Sequence, residues 1–81
     1  SHTILLPNGT RSTIGVIFPS SLTFNTQAAE VMEILAGHCR VKLQGAPDWI
    51  DYKEDQKFAV PANSSFEIET TDTLHYVCHF E

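Results

Sequence analysis

Turn-forming residues interrupt this chain every ~8–12 residues, and the stretches between them are rich in Val, Ile, Thr, Phe and Tyr. A chain broken so often has no room for long helices. Short antiparallel strands folded into a sandwich or barrel satisfy it. The breaks fall at Pro7-Asn8-Gly9, whose Asn-Gly favours a tight hairpin, then at Pro19-Ser20-Ser21, Gly37, residues 44–48, residues 53–57 and Pro61-Ala62-Asn63. Strands are therefore expected over residues 2–6, 12–18, 22–26, 30–35, 38–43, 49–52, 58–60, 65–70 and 74–80. One segment carries two signals. Ala28, Val31, Met32 and Leu35 recur at helical spacing, while Met32, Ile34 and Ala36 alternate with Glu33. Its neighbours are all strands, so a strand is expected there too.

Alternation assigns faces. Leu74, Tyr76, Cys78 and Phe80 share one side of the last strand, and His75, Val77 and His79 share the other. Cys39, Val41 and Leu43 point inward, whereas His38, Arg40 and Lys42 form a stripe toward solvent. Phe66 and Ile68 oppose Glu67 and Glu69. Glu30 is in phase with Met32 and Ile34, which puts a carboxylate on the inward face.

Length and charge narrow the functions. The 81 residues make one domain, residues 1–81, and the missing initiator Met suggests a piece trimmed from a longer chain. Five bases against ten acids give a net charge of −5, which argues against a nucleic-acid backbone as partner but leaves room for a small anion. The longest uncharged apolar run, Gly15-Val16-Ile17-Phe18, is far too short to span a bilayer, and no secretory pattern precedes it. Cys39 and Cys78 lie among apolar neighbours and form no C-x-x-C pair, so they read as reduced, buried thiols of a cytoplasmic protein. His75 and His79 lie ~13 Å apart along a strand, too far to share an ion, and read as surface residues. No G-x-S-x-G elbow marks a hydrolytic nucleophile, and the four glycines are too scattered to cradle a phosphate.

Two stretches resemble cupin motifs. Glu30, six residues, then Gly37 matches the end of G-x5-H-x-H-x3-4-E-x6-G, and Asp55, five residues, then Pro61 matches the start of G-x5-P-x-G-x2-H-x3-N. The motif histidines fall on Phe24, Thr26 and Phe66, so only the acid remains, and the usual cupin metal set is lost. A narrower likeness runs from about Arg11 to the C-terminus. It comprises Thr23-Phe24-x-Thr26-x3-Glu30-x-Met32-x4-Gly37, then Val41, Leu43, Asp48-Trp49-x2-Tyr52, Phe58-x-Val60-Pro61-x2-Ser64-x-Phe66 and Tyr76-x-Cys78. This order resembles the pyrimidine/purine nucleoside phosphorylases, small metal-free bacterial cupins. Members usually carry Gly where this chain has Asp55 and Pro where it has Gln44, and they begin some ten residues earlier.

The resemblance implies an all-β, single-domain cupin, an antiparallel jelly-roll barrel. It implies a pentosyltransferase of nucleoside salvage that cleaves purine and pyrimidine ribonucleosides with inorganic phosphate, giving free base and ribose 1-phosphate. No metal or organic cofactor is used, the partners are nucleoside and phosphate, and a homodimer is expected. A non-catalytic cupin that binds a nucleoside or sugar as a sensor or store is the alternative.

Such chemistry needs an acceptor for the ribose hydroxyls, donors for phosphate, and a proton or hydrogen bond for the leaving base. Glu30 is the candidate acceptor, against a second reading as a solvated acid at a strand end. Arg11 is the phosphate candidate, against a surface Arg beside a hairpin, with Arg40 as a rival cation. Tyr76 is the candidate donor to base or sugar, or a core Tyr bonded to backbone. Thr26 and Ser64 are small donors near the mouth, or turn residues. Phe24 and Phe66 would wall the site. Trp49 either stacks on a base or covers core or a subunit contact.

Overall fold

A computed structural model describes residues 2–5 and 11–81. Nine strands run in chain order: β1 (His2–Leu5), β2 (Arg11–Ile17), β3 (Ser20–Asn25), β4 (Glu30–Ala36), β5 (His38–Leu43), β6 (Ile50–Lys53), β7 (Lys57–Val60), β8 (Ser65–Thr70) and β9 (Leu74–Phe80). No helix occurs among the described residues. Each expected strand is present, with ends that differ by no more than two residues. The Pro7-Asn8-Gly9 hairpin and Leu6 lie outside the described residues.

The strands form two sheets, a five-stranded one in the order β1-β2-β9-β4-β7 and a four-stranded one in the order β3-β8-β5-β6. All pairings are antiparallel. The core lies between the sheets, where Met32, Ile34, Val60, Phe66, Ile68 and Leu74 are almost wholly removed from water. Phe58 sets its ring edge-on to Phe66, with centroids 5.6 Å apart. Cys39 and Cys78 are both free and buried, as their apolar neighbours imply.

The double signal in residues 27–36 has a physical cause. Residues from Glu30 on form strand β4, and its register against β9 shifts between Ile34 and Ala36. Alternation holds through Leu35, which faces outward with Val31 and is 42% exposed, so apolar residues on both faces of the strand produce the helical spacing, and the shift displaces only the end of the strand. The Ile34 N–H donates to the Gln56 carbonyl and the Asp55 N–H to the Ile34 carbonyl, so the turn between β6 and β7 satisfies the displaced backbone. Asp55 sits there at φ 69°, a left-handed conformation that glycine takes freely.

The β4–β5 turn is tighter still. Gly37 has φ 92°, and a Cβ there would meet the Thr73 carbonyl oxygen at 2.7 Å.

The two outer faces differ. That of the four-stranded sheet carries Thr23, Arg40, Lys42, Asp51, Glu67 and Glu69, a solvated set. On the five-stranded sheet the outward positions include Ile14, Val16, Val31 and Val77. Among them His79 corrects the sequence reading. It is half-buried, with Nδ1 2.9 Å from Ser12 Oγ and Nε2 3.0 Å from Glu33 Oε1. Alternation identified its face but not its partners, which come from β2 and β4.

Candidate active site

The register of the five-stranded sheet lines up its inward side chains in cross-strand rows. Glu30 pairs with Phe80, and Arg11 lies one step beyond the Ser12–His79 pair, beside the same Phe80. The next row is Thr13, Cys78 and Met32, followed by Gly15, Tyr76 and Ile34. Opposite them, Phe24 of β3 pairs with Phe66 of β8, their rings stacked at 5.3 Å.

Between these walls lies a pocket of about 100 Å³, lined by Thr13, Phe24, Asn25, Glu30, Met32, Phe66, Tyr76 and Cys78. Four sequence candidates, Glu30, Tyr76, Phe24 and Phe66, meet here. Glu30 is the feature that distinguishes it, since the residue is only 8% exposed and a carboxylate in such a place needs compensating donors. Two stand close. Burial pushes the Cys78 thiol up to about 12, helped by its hydrogen bond to Glu30 and by the charge of Glu30, and opposed by Arg11. Burial likewise raises Tyr76, with Cys78 and Glu30 adding to the shift. Both groups therefore keep their protons at neutral pH, and the Cys78 thiol faces the acid as a donor.

Arg11 stands outside the pocket lining. Its guanidinium lies over the Phe80 ring, 4.5 Å from the centroid, so Phe80 separates the cation from Glu30 at the rim. Thr26 and Ser64 are turned to other work. The Thr26 hydroxyl donates to the Pro61 carbonyl at 2.7 Å and accepts the Ser64 N–H at 2.9 Å. The Ser64 hydroxyl donates to Gln44 Oε1 at 3.2 Å. The Arg40 guanidinium lies over Trp49, 4.5 Å from the centroid of the Trp49 ring, and pairs with Glu69 at 2.9 Å; neither Arg40, on the outer face of the four-stranded sheet, nor Trp49, just before β6, lines the pocket.

Sequence reasoning missed Thr13, Asn25, Met32 and Cys78 as wall residues, although Met32 was placed in phase with Glu30. Thr13 and Cys78 had a signal, because they alternate in phase with Arg11 and Tyr76 on their strands. Asn25 had none, since its place at the end of β3 depends on the pairing with Ser65. A larger depression of about 450 Å³ lies beside residues 44–46, walled by Thr23, Lys42 and Glu67. It is open and holds no buried ionisable group, so the smaller pocket is the better candidate.

No group of three or more His, Cys, Asp or Glu able to hold a metal ion occurs among the described residues, nor does any helix long and apolar enough to cross a membrane.

Known proteins resemble this chain throughout. The pyrimidine/purine nucleoside phosphorylase family matches residues 1–80. A protein of Cupriavidus taiwanensis called pyrimidine/purine nucleoside phosphorylase is 67% identical over the whole of this chain and 77% of its own length. A crystal structure of a protein of unknown function from Acinetobacter sp. ADP1 superposes with a TM-score of 0.95 at 46% identity, over 99% of this chain and 78% of that one. A cupin superfamily protein from Desulfitobacterium hafniense, 12% identical over 98% of this chain and 72% of that one, superposes with a TM-score of 0.79 and shows the fold as that of a cupin. With the match running the length of the chain, this protein belongs to the pyrimidine/purine nucleoside phosphorylase family.

Proposed function

We propose that this chain is a nucleoside phosphorylase, which transfers the ribosyl group of purine and pyrimidine nucleosides to inorganic phosphate. The observation that carries the reading is the buried Glu30, beside the protonated Cys78 thiol in a pocket that has aromatic walls and is lined also by Tyr76. The names of the relatives supply the reaction class.

A pocket of about 100 Å³ is well below the ~300 Å³ of a site that engulfs a drug-sized ligand. It suits one small polar ring, the pentose, and leaves the base near the mouth. Glu30 accepts hydrogen bonds from the ribose hydroxyls, and its charge favours the positive character that develops on the sugar as the glycosidic bond stretches. A phosphate oxygen attacks C1′. The C–N bond breaks with its electron pair leaving on the base, which takes up a proton to leave as free base.

Arg11, at the rim, orients the phosphate through its fork of N–H donors. Tyr76 donates to the sugar within the pocket. Phe24 and Phe66 stand where metal-binding cupins carry imidazoles. With no lone pair to offer they exclude water instead, and the reaction runs without metal or organic cofactor. Thr26 and Ser64 fix the rim rather than touch substrate.

In this reading the two sheets act as a jelly-roll barrel with the pocket at its open end. The enzyme works as a homodimer in the cytoplasm, in nucleoside salvage.

The test is base release from uridine and from adenosine, with and without phosphate, in the presence of EDTA. Free base together with ribose 1-phosphate, formed only when phosphate is present, is the expected result. Thermal stabilisation by nucleoside without turnover would instead favour the binding module.

A further inference from the structure

Gly15 lies in the middle of β2, at a backbone conformation open to any residue, and it is buried. No turn requires a glycine there. Its register partner on β9 is Tyr76. A Cβ at residue 15 would fall inside contact distance of the Tyr76 ring: 2.7 Å from Cε1, and closer still to Cζ and the hydroxyl oxygen. The ring therefore lies flat on the β2 backbone, in the space where every other residue carries its side chain.

We propose that Gly15 is a positioning residue that seats the Tyr76 ring against β2 and so holds the pocket beside Glu30 open. The proposal rests on the reading that this pocket receives the pentose. Any side chain at residue 15 lifts the ring. On the inward face Ile34 stands across from Tyr76 and Leu74 behind it, 1% and 0% exposed, and neither gives way cheaply in a close-packed core. The open volume beside the ring is the pocket that Tyr76 itself lines. A lifted ring moves into it, takes room from a cavity of only about 100 Å³, and carries its hydroxyl away from the pocket wall. The glycine thus sets both the size of the cup and the aim of one of its two donors.

Three measurements test this. In the NMR spectrum of the wild-type protein, the Gly15 Hα resonances should lie upfield of those of ordinary strand glycines, shifted by the ring current, and should return to normal in Tyr76→Leu; unshifted resonances in the wild type overturn the proposal. Gly15→Ala should raise KM for uridine at least ~10-fold, with a smaller change in kcat, because displacement of even 1 Å at a site is costly; a KM within twofold of wild type overturns it. Gly15→Ala should also lower Tm in the wild-type background but not in the Tyr76→Leu background, where no ring competes for the space. An equal loss in both backgrounds would assign the glycine to strand packing alone. If the wild-type protein does not cleave nucleosides, the proposed reaction fails, while the resonance and Tm measurements still decide the seating.

Discussion

At the scale of single residues, the proposed role of Glu30 sets function against stability. A carboxylate held at 8% exposure sacrifices hydration that the Cys78 thiol only partly replaces. Glu30→Gln keeps the shape and removes the charge, so base release should fall by roughly 10²-fold or more while Tm holds or rises. Parallel activity and melting measurements check this, and a variant that retains activity removes Glu30 from the reaction. The thiols give a second prediction. Folded Cys39 holds its proton up to about 11, through burial and the nearby Asp51 charge, and Cys78 up to about 12. An unfolded thiol releases its proton near ~8.5. The folded state binds these protons more tightly, so their stabilising contribution is complete below that pH and is lost as pH climbs through 11 and 12. Tm should fall with rising pH above ~9, and less steeply in Cys39→Ala. An identical slope in that variant would rule the thiol out.

At the scale of elements, Thr26 joins two loops. Its N–H donates to the Ser64 carbonyl at 2.9 Å, and its hydroxyl ties together Pro61 and Ser64, so the β3–β4 connection is pinned to the β7–β8 turn. Thr26→Val keeps the shape but leaves the Ser64 N–H without its acceptor. It should cost ~1–3 kcal/mol of stability, with KM for nucleoside nearly unchanged at temperatures where the variant is folded. Denaturant unfolding and kinetics together separate the two effects, and a KM that rises without loss of stability would return Thr26 to the substrate. What the sequence revealed follows from range. Strand placement and facing are local, and they were readable because period-2 alternation survives nearly everywhere, including the inward phase of Glu30, Tyr76 and Phe66. The work of the Thr26 hydroxyl was not readable, because its partners lie 35 and 38 residues away. His79 was hidden for the same reason, its two partners being supplied by β2 and β4.

At the scale of the whole molecule, the unequal outer faces bear on assembly. A solvated face needs no cover, and the four-stranded sheet has one. On the five-stranded sheet, Val16 at 48% and Leu35 at 42% exposure extend an outward set that includes Ile14, Val31 and Val77. Ser12, Glu33, His75 and His79 lie among them on the same face, which is still the less charged of the two, and exposed apolar side chains on one face are a mark of an interaction site. A second copy of the chain is the simplest occupant. A two-fold axis sets the same patch against itself, and a domain of 81 residues gains most from added buried surface because its own core is small. The pocket lies on the opposite side of the same sheet, carried by alternate residues of β2, β9 and β4. Pairing through the outer face would therefore stiffen those strands without blocking the mouth. Sedimentation should give twice the 9.0 kDa chain mass, and Val16→Glu should shift the protein toward monomer with its strand content by circular dichroism intact. A wild-type protein that sediments as a monomer at tens of micromolar, or a Val16→Glu variant that remains fully dimeric, would move the contact away from this face.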